Sequence, residues 1–207
     1  TPSHSINVWR AAGLRPWWYG ANAPILMAVN VMPITGIVRW VMAQALDDLL
    51  DSLEDADDAT REEAAKALAE LANPATLDAL IGACGDEFWS VRTRAGWGVA
   101  KIGGPKAIEA LIVLFNDPIM EVRNEAVAAV VSLGAGQLDR LLAAMKDERW
   151  RVREHAAKAC GDLHDSGAVD ALIFACRDRD GAVKSAAAEA LGKIGDPRVG
   201  AHVAGER

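Results

Sequence analysis

Residues 178–195 read DRDGAVKSAAAEALGKIG: an acid, four residues, a Val-Lys pair, a run of small residues, and an aliphatic-Gly stop. The same order of residue types recurs along most of the chain. A Val-Arg pair or its equivalent stands at Thr60-Arg61, Val91-Arg92, Val122-Arg123, Val152-Arg153 and Val183-Lys184, at steps of 31, 31, 30 and 31 residues. One Asp precedes each pair in the same register, at Asp55, Asp86, Asp117, Asp147 and Asp178. Ahead of each Asp stands an aliphatic pair spaced by three: Leu46/Leu49, Leu77/Leu80, Ile108/Leu111, Leu138/Leu141 and Val169/Leu172. Repetition at this period is the mark of a stacked array, so it is read before any local structure.

Each unit resolves into two helices. The first carries apolar residues at helical spacing, as in Leu77, Leu80 and Ile81, and ends at the turn Asp. The second runs from the Val-Arg pair to a stop at Ile102-Gly103, Leu133-Gly134 or Ile194-Gly195, where Gly takes positive φ without strain. Neither helix can bury its apolar stripe alone, so neighbours stack around one continuous core.

The pattern D-x-x-x-x-V-R-x-x-A-A-x-A-L-G-x-I-G resembles the short HEAT-like repeats named after phycobilisome lyases, and residues 178–195 are its best copy, with Lys184 in place of Arg. The resemblance covers residues 44–199 and implies an all-α, right-handed α-solenoid of about five hairpins of 30–31 residues. It also implies a hydrogen-bonded ladder between successive repeats, built from Asp86, Arg92, Asp117, Arg123, Asp147 and Arg153. A turn carboxylate that satisfies helix N-terminal amides and pairs with a guanidinium suits that role. An anion-binding row of the same arginines is the functional alternative, and their regularity in every repeat favours the structural one.

The ends depart from the register. Residues 1–43 form a non-repeat arm holding Trp9, Trp17, Trp18 and Trp40 and the only tyrosine, Tyr19. Pro16, Pro24 and Pro33 with Gly13, Gly20 and Gly36 are expected to interrupt any long helix there. The uncharged stretch from Ala21 to Val38 has about the minimum length of a membrane span, but Asn22, Asn30 and two prolines lie within it and Arg39 follows directly. A secretory signal would use Arg10 and Arg15 before that stretch and Ala43-Gln44-Ala45 as its small-x-small site, yet Arg39 interrupts it. The favoured reading is a cap or arm that covers the first repeat or packs on another subunit, since Trp and Tyr bury large areas with few rotamers to freeze. Membrane contact, through residues 21–40 alone, is not favoured. At the other end residues 200–207 form a degenerate half-repeat tail, fitting a small cap or a dimer contact.

Candidate binding residues follow from the second helices, which line the concave face in such repeats. Positions beside the Val-Arg pair are expected to point outward: Trp89, Ser90, Arg94, Trp97, Met120, Glu125, Trp150, Arg151, Glu154 and His155. Trp89, Met120 and Trp150 share one slot in three consecutive repeats, which sets large apolar groups in a row beside Arg94, Arg151 and Glu154. That is the composition of a protein interface; the alternative is that each Trp fills a gap over its own turn. His155 is expected to be solvated.

Catalytic signals are thin. Cys84, Cys160 and Cys176 are widely spaced and read as buried apolar groups of a reducing compartment, so neither a disulfide nor a zinc framework is expected. There is no HExxH, phosphate loop or nucleophile elbow. No catalytic residue, metal or cofactor is assigned. The net charge of −7 argues against non-specific binding to nucleic acid or anionic membrane. The expectation is a cytoplasmic, non-enzymatic scaffold, accessory subunit or assembly factor that binds another protein and possesses scope for self-association, gripping its partner with the groove and the arm. The alternative, implied by the resemblance, is a phycobilin lyase-like protein that handles a tetrapyrrole chromophore.

Overall fold

The computed structural model describes residues 34–196. Among them are ten α-helices and no strand. They are α1 (Ile34–Ser52), α2 (Asp58–Leu71), α3 (Leu77–Ala83), α4 (Trp89–Ile102), α5 (Pro105–Leu114), α6 (Met120–Ser132), α7 (Leu138–Ala144), α8 (Trp150–Asp162), α9 (Val169–Ala175) and α10 (Gly181–Ile194). The even-numbered helices begin at the slot of Trp89, Met120 and Trp150, and the odd-numbered ones carry the aliphatic pairs. The architecture is an α-solenoid.

The chain divides into two compact units, residues 1–46 and residues 47–207. The described part of the first unit is the start of α1. This helix begins at Ile34, directly after Pro33, and runs through Gly36 and across residues 43 and 44. A Gly in the opening turn costs only about 1 kcal/mol, which one helix absorbs. Trp9, Trp17, Trp18, Tyr19 and residues 21–33 lie outside the described residues, as do the side chain of Trp40 and the tail from residue 197. No helix among the described residues is long and apolar enough to cross a membrane.

In the second unit the core is a column of small and aliphatic side chains. Leu80, Val91, Ala95, Val99, Ile108, Leu111, Val122, Val130, Leu141, Val152, Ala156, Leu172 and Ala187 are fully buried or nearly so. Helix stops follow the expected chemistry: Gly103, Gly134 and Gly195 have φ of 74°, 79° and 67°. His164 takes the terminator slot of α8 at φ 51°, its Nδ1 2.9 Å from the Lys193 carbonyl.

Successive even-numbered helices pack closely, whereas successive odd-numbered helices barely meet, so the stack curves with the even helices inside. How closely each even pair approaches follows from two positions. A Cβ built on Gly98 of α4 would lie 3.0 Å from Ala69 Cβ of α2, and one on Gly161 of α8 would lie 2.7 Å from Ala190 of α10. The register places Ala100 with Ala129 at the α4–α6 junction and Val131 with Ala159 at the α6–α8 junction. The contact is most extensive at α8–α10, then α2–α4, then α4–α6, and least extensive at α6–α8.

Candidate functional site

The turns before the even helices share one geometry. In each, the turn Asp accepts from the main-chain N–H two residues on: Asp57 N to Asp55, Phe88 N to Asp86, Ile119 N to Asp117, Arg149 N to Asp147 and Asp180 N to Asp178, all at 2.7–2.8 Å. The helix arginine then clamps its own turn from inside. Arg61, Arg92, Arg123 and Arg153 each donate Nη1 to two consecutive carbonyls of that turn, five and six residues upstream.

The remaining fork of the guanidinium reaches the next repeat. Arg61 donates Nε and Nη2 to Asp86 at 2.8 and 3.1 Å, Arg92 to Asp117 at 2.6 and 2.9 Å, and Arg153 to Asp178 at 2.8 and 2.8 Å. Bidentate, charge-assisted pairs of this kind are shielded from water. The Arg153 guanidinium beside Asp178 holds its carboxyl below the usual carboxylate range. At Asp86 burial works the other way, but the Arg61 bond and the Phe88 N–H prevail and the carboxyl is held low.

The rung expected between Arg123 and Asp147 is not made. Arg149 takes both oxygens of Asp147, through Nε and Nη2 at 2.9 Å each, and holds that carboxyl low. Arg123 is left with its two turn carbonyls, and its Nε is buried without a hydrogen-bond partner. The cause is local. The slot two residues after the turn Asp holds Asp57 and Asp180 in the first and last repeats, where the side chain caps the helix. In between it holds Phe88, Ile119 and Arg149, and Arg149 alone carries a fork that competes for the Asp.

The same slot contributes to a row of exposed apolar side chains. Phe88 and Ile119 join Trp89, Met120 and Trp150 along the turn edge, all between 37% and 56% exposed. A cleft of about 660 Å³ runs here, lined by Phe88, Trp89, Val113, Pro118, Ile119 and, from the next repeat, Arg149. The Arg151 guanidinium carbon sits 4.8 Å from the centre of the Trp150 ring. A second cleft of about 490 Å³ spans α6, α8 and α10, lined by Asn124, Val131, Lys158, Glu189 and Lys193.

Other expected contact residues are engaged with one another. Arg94 meets Glu62 at 3.3 Å, Glu62 accepts from Ser90 at 2.7 Å, the Trp97 indole donates to Glu125 at 2.9 Å, and Lys158 holds Glu154 at 2.6 Å. The first three link α2 to α4 and α4 to α6, whereas the last lies within α8. His155 corrects the sequence reading: it is 1% exposed, not solvated, and Ser90 is also buried. His155 stands in the register of Arg94 and Glu125, but its ring packs inward near Phe115, with ring centres 6.1 Å apart. Its Nδ1 lies 2.8 Å from the Arg151 carbonyl, which only accepts, so the proton sits on Nδ1 and the bare Nε2 has no partner. Burial pushes its pKa below the usual histidine value.

Nucleophiles are poorly placed. Burial pushes the Cys84 and Cys160 thiols up to about 12, so neither is a thiolate near neutral pH. Among the described residues no group of His, Cys, Asp and Glu is arranged to hold a metal ion.

Comparison with known proteins agrees with this geometry. The family described as HEAT repeats matches residues 35–134 and 138–205. Among similar solved structures is the complex of CpcE and CpcF of phycocyanin lyase from Nostoc, at 24% identity over 73% of this chain and 66% of that chain, TM-score 0.47. A designed armadillo repeat protein in complex with the peptide (KR)4 is 23% identical over 76% of this chain and 85% of that chain, TM-score 0.42. The Cnd3-Cnd2 condensin subcomplex of S. pombe is 24% identical over 70% of this chain and 22% of that chain, TM-score 0.46. No curated protein matches the sequence.

Proposed function

The chain belongs to the HEAT-repeat family, and we propose that it is a non-enzymatic interaction scaffold that holds a partner protein along the turn edge and inner face of its solenoid. One observation carries this reading. Phe88, Trp89, Ile119, Met120 and Trp150 form a row of exposed apolar side chains beside a core that closes without them. A row of aromatics and Met edged by arginine has the composition of interface hot spots. Apolar surface that folding leaves in water is available to stabilise association. The arm, with Trp9, Trp17, Trp18, Tyr19 and Trp40, is proposed as a second contact with the partner or with another copy.

The test is the double substitution Trp89→Ser and Trp150→Ser in the full chain. Far-UV circular dichroism and the melting temperature should stay nearly unchanged, while the partner recovered with the wild type from its native host is lost. A double variant that unfolds shows the row to be core. One that folds and still captures the same partner removes the turn edge from the contact. The chromophore-handling alternative predicts visible absorbance after co-expression with a bilin source, and the scaffold reading predicts none.

A further inference from the structure

We propose that the turn-edge cleft takes a partner segment presenting an arginine among apolar residues, its guanidinium lying against Trp89 and pairing with Glu87. The proposal rests on the scaffold reading and names the chemistry of what that surface grips.

The chain itself displays the stacking contact. In the fourth repeat the Arg151 guanidinium carbon sits 4.8 Å from the centre of the Trp150 ring. Trp89 holds the same slot two repeats earlier, but the residue after it is Ser90, which is buried and donates to Glu62 at 2.7 Å. Among the described residues no cation lies over Trp89, and its side chain is 45% exposed. The face of an indole attracts a guanidinium, more strongly as water is excluded from the pair.

Charge in the cleft points the same way. Of the ionised groups that line it, Asp86 is taken by Arg61, Asp117 and Arg92 take each other, and Arg149 is held by Asp147. Glu87 is the acid left over. Its side chain is 87% exposed, and its one ion-pair contact, at 3.4 Å, is to an Arg61 already held by Asp86 and two main-chain carbonyls. Phe88, Val113, Pro118 and Ile119 supply apolar walls. A carboxylate beside an open indole face, within apolar walls, suits a cation carried on an apolar segment. Arginine fits better than lysine, because its planar head both stacks on a ring and forks to a carboxylate.

The experiment uses the full chain and synthetic peptides of Leu and Ser that differ only in a central Arg, Lys, Gln or Glu, with binding measured by calorimetry. The Arg peptide should bind about tenfold tighter than the Gln peptide and severalfold tighter than the Lys peptide, with the Glu peptide weakest. Glu87→Gln and Trp89→Leu should each cut the Arg-over-Gln ratio severalfold. Trp150→Leu should leave that ratio unchanged, because Arg151 already stacks on the Trp150 ring. Asp139→Asn, which removes an exposed acid on α7, should leave it unchanged too. Because Glu87 is exposed, Glu87→Gln keeps the test valid if Trp89→Leu fails to fold.

Equal binding of the Arg and Gln peptides overturns the proposal. So does a ratio that Glu87→Gln leaves intact, or that Asp139→Asn lowers as much. A dimer that Trp89→Leu dissolves shows the cleft filled by a second copy and overturns it as well. The scaffold reading is judged separately by native partner capture. Capture that needs Trp89 and Trp150 but is indifferent to Glu87→Gln overturns this inference and leaves the scaffold standing.

Discussion

Replacing Arg149 with Ile should make the protein more stable. Ile copies the residue in the same slot one repeat earlier, Ile119, where the rung is complete. The substitution removes an ion pair whose arginine is 47% exposed, and such pairs contribute about 0–1 kcal/mol. It frees Asp147 for the buried fork of Arg123, and hydrogen bonds to charged groups contribute about 1.5–3 kcal/mol. The net expectation is a gain of about 1–2 kcal/mol, or a rise in melting temperature of roughly 2–8 °C for a chain of this size. Thermal and urea unfolding followed by circular dichroism measures it. The assignment to Arg123 comes from a double-mutant cycle with Arg123→Gln. With Arg149 present, Arg123→Gln loses two carbonyl bonds but also a buried orphan donor. With Ile at that position it loses the rung as well, so coupling of at least about 1 kcal/mol is expected. A cycle that closes with no coupling, or an Arg149→Ile protein no more stable than wild type, refutes the reasoning.

Gly161→Ala should destabilise the protein by about 1–3 kcal/mol through overpacking, because the new Cβ would lie 2.7 Å from Ala190 Cα. Gly192→Ala, with open space at the new methyl, should stabilise by about 0.5–1 kcal/mol through helix propensity; equal effects in unfolding curves would rule out close approach at α8–α10. His155 makes stability pH-dependent with a definite sign. Its folded pKa is lowered by burial, so between about 6.5 and that lower value the unfolded chain binds the proton and the native state does not. Stability present above about pH 6.5 is lost as pH falls toward the folded value. His155→Gln should flatten urea midpoints between about pH 7.5 and about 5.5; an unchanged slope would show that another group titrates there.

The repeat architecture was legible because it is written many times. Each anchor is set by local chemistry that no tertiary contact overrides, as with the Asp that binds the N–H two residues on. The start of α1 was not legible, because Gly36 was read as a breaker when its place in the opening turn makes it tolerable. His155 is hidden for the opposite reason. Its register matches exposed Arg94 and Glu125, and its inward packing near Phe115 of the preceding hairpin is a tertiary contact that the repeat pattern does not carry. Arg149, Phe88 and Ile119 are absent from the sequence-based expectation for the site, although the sequence carries a signal for them. The slot after the turn Asp changes from a capping Asp in the outer repeats to Phe, Ile and Arg in the inner ones. A departure inside a repeat carries more about function than the repeat itself, because the shared positions are already committed to stacking.

The uneven helix contact along the stack also bears on cooperativity. A solenoid is a line of nearest-neighbour couplings, and its tendency to unfold as one body lasts only while each coupling outweighs the cost of opening a boundary. The least extensive helix contact here, between α6 and α8, lies next to the most extensive, between α8 and α10. The last two hairpins should therefore exchange their amide hydrogens as a block, at an opening free energy distinct from that of the first three. Val131→Ala, which sets Ala opposite Ala159 as Ala100 stands opposite Ala129, should draw the two sets of exchange rates together.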